Sequence, residues 1–80
     1  MNKPESNPQM LSYGQSAVGI SFNPGQNPEV YQVKQQYAAI IDKLNQTRLE
    51  SADPEVKRLC SIAITEAQAA QMWAVKAITW

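Results

Sequence analysis

The chain has 80 residues, with seven basic and seven acidic side chains, one cysteine and no histidine. This length allows one domain, and a core of this size supplies only about 3–5 kcal/mol of stability without a metal or a disulfide. The lone Cys60 cannot form an internal disulfide, and the chain lacks the Cys/His cluster of a structural zinc site. We therefore expect self-association to supply the missing stability.

The same counts exclude several classes of function. Without histidine there is no Ser-His-Asp or Cys-His nucleophile, and Asp42 and Glu66 are isolated carboxylates that we interpret as surface partners of basic residues such as Lys43. We predict no catalytic residues, no metal and no cofactor. A net charge of zero argues against DNA or RNA as a partner. Residues 1–10 are polar and no stretch is as long as a transmembrane helix, so we expect no signal peptide and no membrane segment.

The N-terminal third has the composition of loops. Residues 1–29 hold all three glycines and four of the five prolines, and we assign residues 1–16 to a flexible arm. Apolar side chains alternate along residues 17–22, which favours a short extended piece lying over a helical core. Asn23, Pro24 and Gly25 predict a turn, which could also place Asn23 beside a ligand.

Two helices follow, each with its own start signal. Asn27 before Pro28 and Asp53 before Pro54 combine an N-cap with proline at the first helical position. They predict helices over about residues 28–50 and 54–79. The first carries one apolar stripe, formed by Val30, Val33, Tyr37, Ile40, Ile41 and Leu44. Since the connection is short, the fold class is all-α, an antiparallel two-helix hairpin with an extended N-terminal arm, and its domain is residues 17–80.

The second helix displays apolar residues on more than one side. We assign an alanine-rich arc to the core, with the closest helix approach at Ala70: Val56, Leu59, Cys60, Ala63, Ala67, Ala70, Ala74 and Ala77. A second arc carries Ile62, Ala69, Trp73 and Trp80, and a third side carries Ile64 and Val75. A hairpin has one inside, so we predict a homo-oligomeric helical bundle with Trp73 and Trp80 as interface anchors.

A polar stripe lies between these arcs and consists of Arg58, Ser61, Thr65, Gln68, Met72 and Lys76. One interpretation is a solvated helix face. The alternative is a site for a small anion, because Arg58 can bind a phosphate through two hydrogen bonds while Ser61 and Thr65 donate to its oxygens. Nearby aromatic rings could stack on a base.

Three segments resemble a known family. Residues 61–80, SIAITEAQAAQMWAVKAITW, resemble the second helix of a phage-encoded anti-CBASS/anti-Thoeris helical-hairpin family. Residues 18–25, VGISFNPG, are similar to the family's approach to helix one, and residues 40–44, IIDKL, to its middle. The resemblance covers about residues 17–80, while residues 1–16 match no family segment.

The resemblance implies a function. Members are sponges that bind cyclic dinucleotides, cyclic trinucleotides or cyclic ADP-ribose isomers without cleaving them, in the cytoplasm of the infected bacterial host, and they are typically homohexamers. The candidate ligand-binding residues are Phe22, Asn23, Lys34, Arg58, Ser61, Thr65, Trp73 and Lys76. The alternative function is an oligomeric hairpin adaptor that binds another protein.

Overall fold

The computed structural model describes residues 10–80, and the predicted flexibility of residues 1–9 therefore falls outside the described part of the chain. Three helices follow in chain order: α1 (Tyr13–Ala17), α2 (Pro28–Glu50) and α3 (Pro54–Ile78). No strand occurs among residues 10–80, so the described chain is all-α, as predicted.

The two long helices begin where their capping residues lie. Asn27 Oδ1 accepts the backbone N–H groups of Glu29 and Val30 at 2.8 and 3.3 Å. Asp53 Oδ1 accepts the N–H of Glu55 at 2.9 Å. In both cases the side chain satisfies backbone donors that have no partner within the helix. Residues 51–53 join α2 to α3, and the two helices pack against each other as a hairpin.

The helix α1 was not predicted, and the expectation of an arm without regular structure is wrong for this part of it. Ser12 Oγ accepts the N–H of Gln15 at 3.0 Å, while Gln15 Oε1 accepts the N–H of Ser12 at 2.9 Å. This reciprocal capping box stabilises a helix start. The helix also crosses the boundary that we drew between residues 16 and 17.

The segment after α1 is turned rather than extended, which corrects the prediction for residues 17–22. Gly19 has φ +61°, and its N–H donates to the Ser16 carbonyl at 3.1 Å while the N–H of Ile20 donates to Gln15 at 3.0 Å. This pattern is the Schellman motif, which needs a left-handed residue after the helix. The turn directs Val18 and Ile20 into the core, so the segment does lie over the helices.

The core sits where α1, α2 and α3 meet. Ile41 is fully buried at its centre. Buried Val18, Ile20, Ala38 and Ile64 surround it, and Ala17, Tyr37, Leu44 and Ala67 pack against the cluster. The predicted stripe of α2 thus faces inward, except that Ile40 at its edge is exposed.

The inward face of α3 differs from the predicted alanine arc. Cys60 is buried as predicted, but Ile64, which we assigned to a third side, is buried too. Leu59, Ala70 and Ala77, which we also assigned to the core, are exposed. The reason is the end of α1 with the turn that follows it, which packs beside α3. The Ala17 carbonyl, in the last residue of α1, accepts a hydrogen bond from Gln68 Nε2 at 3.3 Å. The inside of the hairpin is therefore rotated toward this segment.

A large apolar surface remains uncovered in the protomer. Leu59, Ile62, Trp73 and Trp80 of the α3 helix and its end are all exposed. The described chain measures 41 × 40 × 12 Å, so it is thin in one direction and cannot cover both flat faces by itself. None of the described helices is both long and apolar enough to cross a membrane.

Candidate functional site

A cavity of about 410 Å³, here called cavity A, opens at the end of the hairpin opposite residues 51–53. The loop between α1 and α2, the first turns of α2 and the last turns of α3 form its walls. The antiparallel packing brings the start of α2 beside the end of α3. The lining residues are Phe22, Asn23, Pro24, Gly25, Asn27, Val30, Lys34, Val75 and Thr79.

Lys34 supplies the positive charge of cavity A. The residue is only 5% exposed, and its Nζ donates to the carbonyl oxygens of Gly19 at 3.0 Å and Phe22 at 2.6 Å. Among residues 10–80 no carboxylate forms an ion pair with it. An ammonium has three donors; two of them hold the loop, and the third has no partner among residues 10–80. A buried cation without a carboxylate partner favours an anionic ligand.

Phe22 and Asn23 complete the loop side of the cavity in different ways. The Phe22 ring is 71% exposed and its centroid lies 5.5 Å from Lys34 Nζ, close enough for a cation–π contact. Asn23 Nδ2 donates to the Asn27 carbonyl at 2.9 Å, and Asn23 Oδ1 accepts the Asn27 N–H at 3.2 Å. Asn23 therefore fixes the loop on the cap of α2, while Phe22 presents an apolar ring to solvent.

A second, shallow and open cavity, here called cavity B, also has Lys34 in its lining and has a volume of about 500 Å³. It shares Phe22, Lys34 and Val75 with cavity A. Its remaining lining residues are Ser16, Ala17, Val18, Gly19, Gln71 and Met72. Lys34, which is bound to the loop carbonyls, therefore lines two neighbouring spaces.

The polar stripe of α3 forms a separate, shallow groove of about 330 Å³, lined by Arg58, Ser61, Ile62, Thr65 and Glu66. Its hydroxyls are already engaged. Ser61 Oγ accepts from Arg48 Nη1 at 3.0 Å, and Thr65 Oγ1 donates to the Ser61 carbonyl at 3.1 Å. The structure therefore groups Arg58, Ser61 and Thr65, as predicted from their spacing, but away from Lys34.

Arg58 is paired within its own helix. Its Nε and Nη2 donate to the two carboxylate oxygens of Glu55 at 3.0 and 2.6 Å. The guanidinium lowers the pKa of the Glu55 carboxyl, and the carboxylate raises the pKa of Arg58. Both side chains are exposed, so the pair fits a solvated helix face as well as an anion site.

Trp73 and Lys76 line neither cavity A nor the stripe groove. Trp73 is 70% exposed. Lys76 places its Nζ 5.5 Å from the centroid of the Trp80 ring. The eight candidates therefore divide into Phe22, Asn23 and Lys34 at cavity A, the three stripe residues, and these two exposed positions.

Sequence reasoning missed the contributions of α3 to the two cavities. Val75 and Thr79 line cavity A, and Gln71 lines cavity B. The predicted hairpin could have indicated these residues, since antiparallel pairing places the last turns of α3 opposite Val30 and Lys34. The register of that pairing depends on the segment after α1, whose turn was not predicted.

The described residues include no group of three or more His, Cys, Asp or Glu side chains arranged to hold a metal ion. The chemistry of cavities A and B is instead that of a cation, backbone dipoles and apolar surface. A cation beside an aromatic ring is chemically suited to an anion that carries a flat ring, because the ammonium attracts negative charge and the aromatic face can stack on a flat ring.

Comparison with protein families gives one finding. The family model described as "Acb2/Tad1, hairpin domain" matches residues 15–79. This range includes the end of α1, the loop of cavity A and both long helices. No curated protein and no solved structure gives a match.

Proposed function

Since this chain belongs to the Acb2/Tad1 hairpin-domain family, we propose that it is a phage sponge for cyclic nucleotide second messengers. It binds cyclic dinucleotides, cyclic trinucleotides or cyclic ADP-ribose isomers and withholds them from CBASS or Thoeris effectors. Membership of the family supports the anti-CBASS/anti-Thoeris role, and we propose these three classes of ligand in addition.

The observation that carries the proposal is the Lys34 ammonium between cavities A and B. It is buried, its contacts among the described residues are two carbonyl oxygens, and it retains one donor. A ligand phosphate supplies the negative charge that these carbonyls lack. The exposed Phe22 ring lies beside the ammonium and offers a surface on which a base stacks.

The proposed activity is binding without cleavage. Cleaving a phosphodiester requires an activated nucleophile or a general base, and the chain has no histidine. The Lys34 ammonium is a donor to carbonyls and serves to hold charge. We therefore expect the bound nucleotide to stay intact and to be sequestered in the host cytoplasm, where the messenger is made.

We propose that the chain assembles as a homo-oligomer, namely a hexamer of hairpins. Leu59, Ile62, Trp73 and Trp80 support it, because these four apolar side chains are exposed on one protomer. The same surface favours the alternative function, an adaptor that binds another protein. Ligand binding separates the two, since an adaptor needs Lys34 only to hold the loop and should bind no cyclic nucleotide.

Thermal melting with a panel of cyclic nucleotides tests the proposal. A ligand present at about 100 times its dissociation constant should stabilise the folded protein by about 2.7 kcal/mol. Lys34→Met should abolish the ligand-induced shift while Lys43→Met, which removes an exposed lysine of the same helix, should keep it. No shift with any nucleotide, or equal shifts in both variants, would overturn the assignment of the site.

A further inference from the structure

Lys34 and Gln71 are the two buried polar residues in the described part of the chain, and Gln71 is 5% exposed. Within residues 10–80 its carboxamide forms no hydrogen bond, although nearby polar groups have partners. The Lys34 ammonium donates to Gly19 and Phe22, and the Gln68 carboxamide donates to Ala17. Buried polar groups are paired in the large majority of cases, so the free carboxamide needs a partner.

Cavity B provides the space for that partner. Gln71 lines it together with Lys34 and the small residues of the segment after α1. The volume of about 500 Å³ falls in the range of small-molecule sites. Phe22 and Met72 stand at its rim and are both largely exposed. A buried carboxamide and an exposed aromatic ring that line one cavity are the kinds of group by which proteins read an unstacked base.

We propose that Gln71 is a specificity-determining residue that reads an adenine base placed in cavity B. This inference rests on the proposed function, because it names the part of the cyclic nucleotide that the cavity selects. The Phe22 ring stacks on the base, Lys34 faces the adjoining phosphate, and the Gln71 carboxamide pairs with the edge of the base.

We infer that the base is read through its N7 edge, where the carboxamide matches adenine better than guanine. A carboxamide offers one donor and one acceptor side by side, and adenine presents the complementary N7 acceptor and N6 donor. The same edge of guanine presents two acceptors, O6 and N7. Guanine held by its N7 edge leaves the Gln71 oxygen without a partner, and a site with an unpaired buried polar group discriminates strongly. Guanine turned to present O6 and N1–H would pair with the carboxamide, so equal binding of the two nucleotides would overturn the inference.

Calorimetric titration of the full chain with cyclic di-AMP and cyclic di-GMP tests the inference. The unmodified protein should prefer cyclic di-AMP. Gln71→Leu and Gln71→Met remove both hydrogen-bonding atoms and keep much of the volume. Each should weaken cyclic di-AMP binding about 10- to 100-fold, the range for loss of one two-bond base contact, and should change cyclic di-GMP binding much less. Gln36→Leu, at an exposed position of α2, is the control and should change neither.

Melting without ligand separates a reading role from a structural one. Both variants replace an unpaired buried amide with an apolar group, so they should melt at or above the temperature of the unmodified protein. The inference is wrong if both variants fail to fold, if they weaken both nucleotides equally, or if they leave the preference intact. Should the unmodified protein bind neither these nor any other cyclic nucleotide, the proposed function fails with it. If Gln71→Leu binds the cyclic nucleotides as tightly as the unmodified protein does, the inference about Gln71 is wrong while the proposed function stands.

Discussion

At the residue scale, Glu55 holds Arg58 in a two-bond pair on the surface of α3. Pairs this exposed contribute little to stability because water screens them. This pair matters for ligand binding, because a phosphate that binds Arg58 must compete with the Glu55 carboxylate for the guanidinium. The sequence argument for Arg58 as an anion site overlooked this partner one turn earlier in the helix, which gives the arginine a reason to be there without any ligand.

The pairing predicts a change in the titration of Glu55. Arg58→Ala should raise the pKa of the Glu55 carboxyl toward its ordinary value, because the hydrogen bond from Arg58 is what lowers it. A carboxyl with a lowered folded-state pKa contributes stability above its unfolded pKa, and that contribution is lost as the pH falls through the folded value. Carbon-detected NMR titration measures the pKa directly. Lys57→Ala is the control, and an unchanged Glu55 pKa in Arg58→Ala would contradict the pairing.

At the element scale, the docking of α1 on α2 depends on a close approach at Gly14. Its N–H donates to Asp42 Oδ1 at 2.6 Å. A methyl group at this position would lie 2.8 Å from the Ala38 carbonyl carbon and 2.9 Å from Asp42 Oδ1. Asp42 is therefore an anchor for α1, and its interpretation as a surface partner of Lys43 is wrong.

Gly14→Ala should destabilise the fold by about 1–3 kcal/mol, the usual cost of forcing extra volume into a packed contact. The backbone of Ala38 belongs to α2 and cannot move aside without disturbing that helix. Gly25→Ala is the matched control, because nothing lies within 4 Å of an added methyl group there. Chemical denaturation of both variants gives the comparison. Equal stability of the two would mean that α1 does not pack on α2 as described.

The helices show what the sequence could predict and what it could not. Proline after an N-cap marks the starts of α2 and α3, since both signals act within a few residues. The inward face of α3 depends on the end of α1, through a contact between positions 17 and 68 that no local sequence pattern predicts. Of the eight candidate ligand-binding residues, Phe22, Asn23 and Lys34 meet at cavity A and the other five lie elsewhere. Val75, Thr79 and Gln71 were not among the candidates, because their place at the two cavities depends on how the helices pair.

At the scale of the whole molecule, the exposed apolar surface of α3 predicts self-association. Trp73 is 70% exposed on a chain only 12 Å thick. Trp73→Lys should convert the oligomer to smaller species at micromolar concentration, since buried tryptophans at interfaces contribute about 2 kcal/mol or more. Light scattering coupled to size exclusion measures the mass. Gln36→Lys, which adds the same charge at an exposed position of α2, should leave the oligomer intact.

A folded monomer of the unmodified protein at micromolar concentration would contradict the assembly. It would also remove the main argument for how a chain of 80 residues without disulfide or metal becomes stable. The ligand sites would then have to be complete within one protomer, where cavities A and B already share Lys34.

The most direct test of the sponge is the fate of the nucleotide itself. The full chain is incubated with a cyclic nucleotide that shifts its melting temperature, the free fraction is separated by filtration, and the retained fraction is released by heat. We predict that the filtrate is depleted in proportion to the protein and that chromatography of the released fraction shows the intact cyclic nucleotide. A nucleotide that stays in the filtrate, or one recovered as a linear product, would contradict sequestration without cleavage.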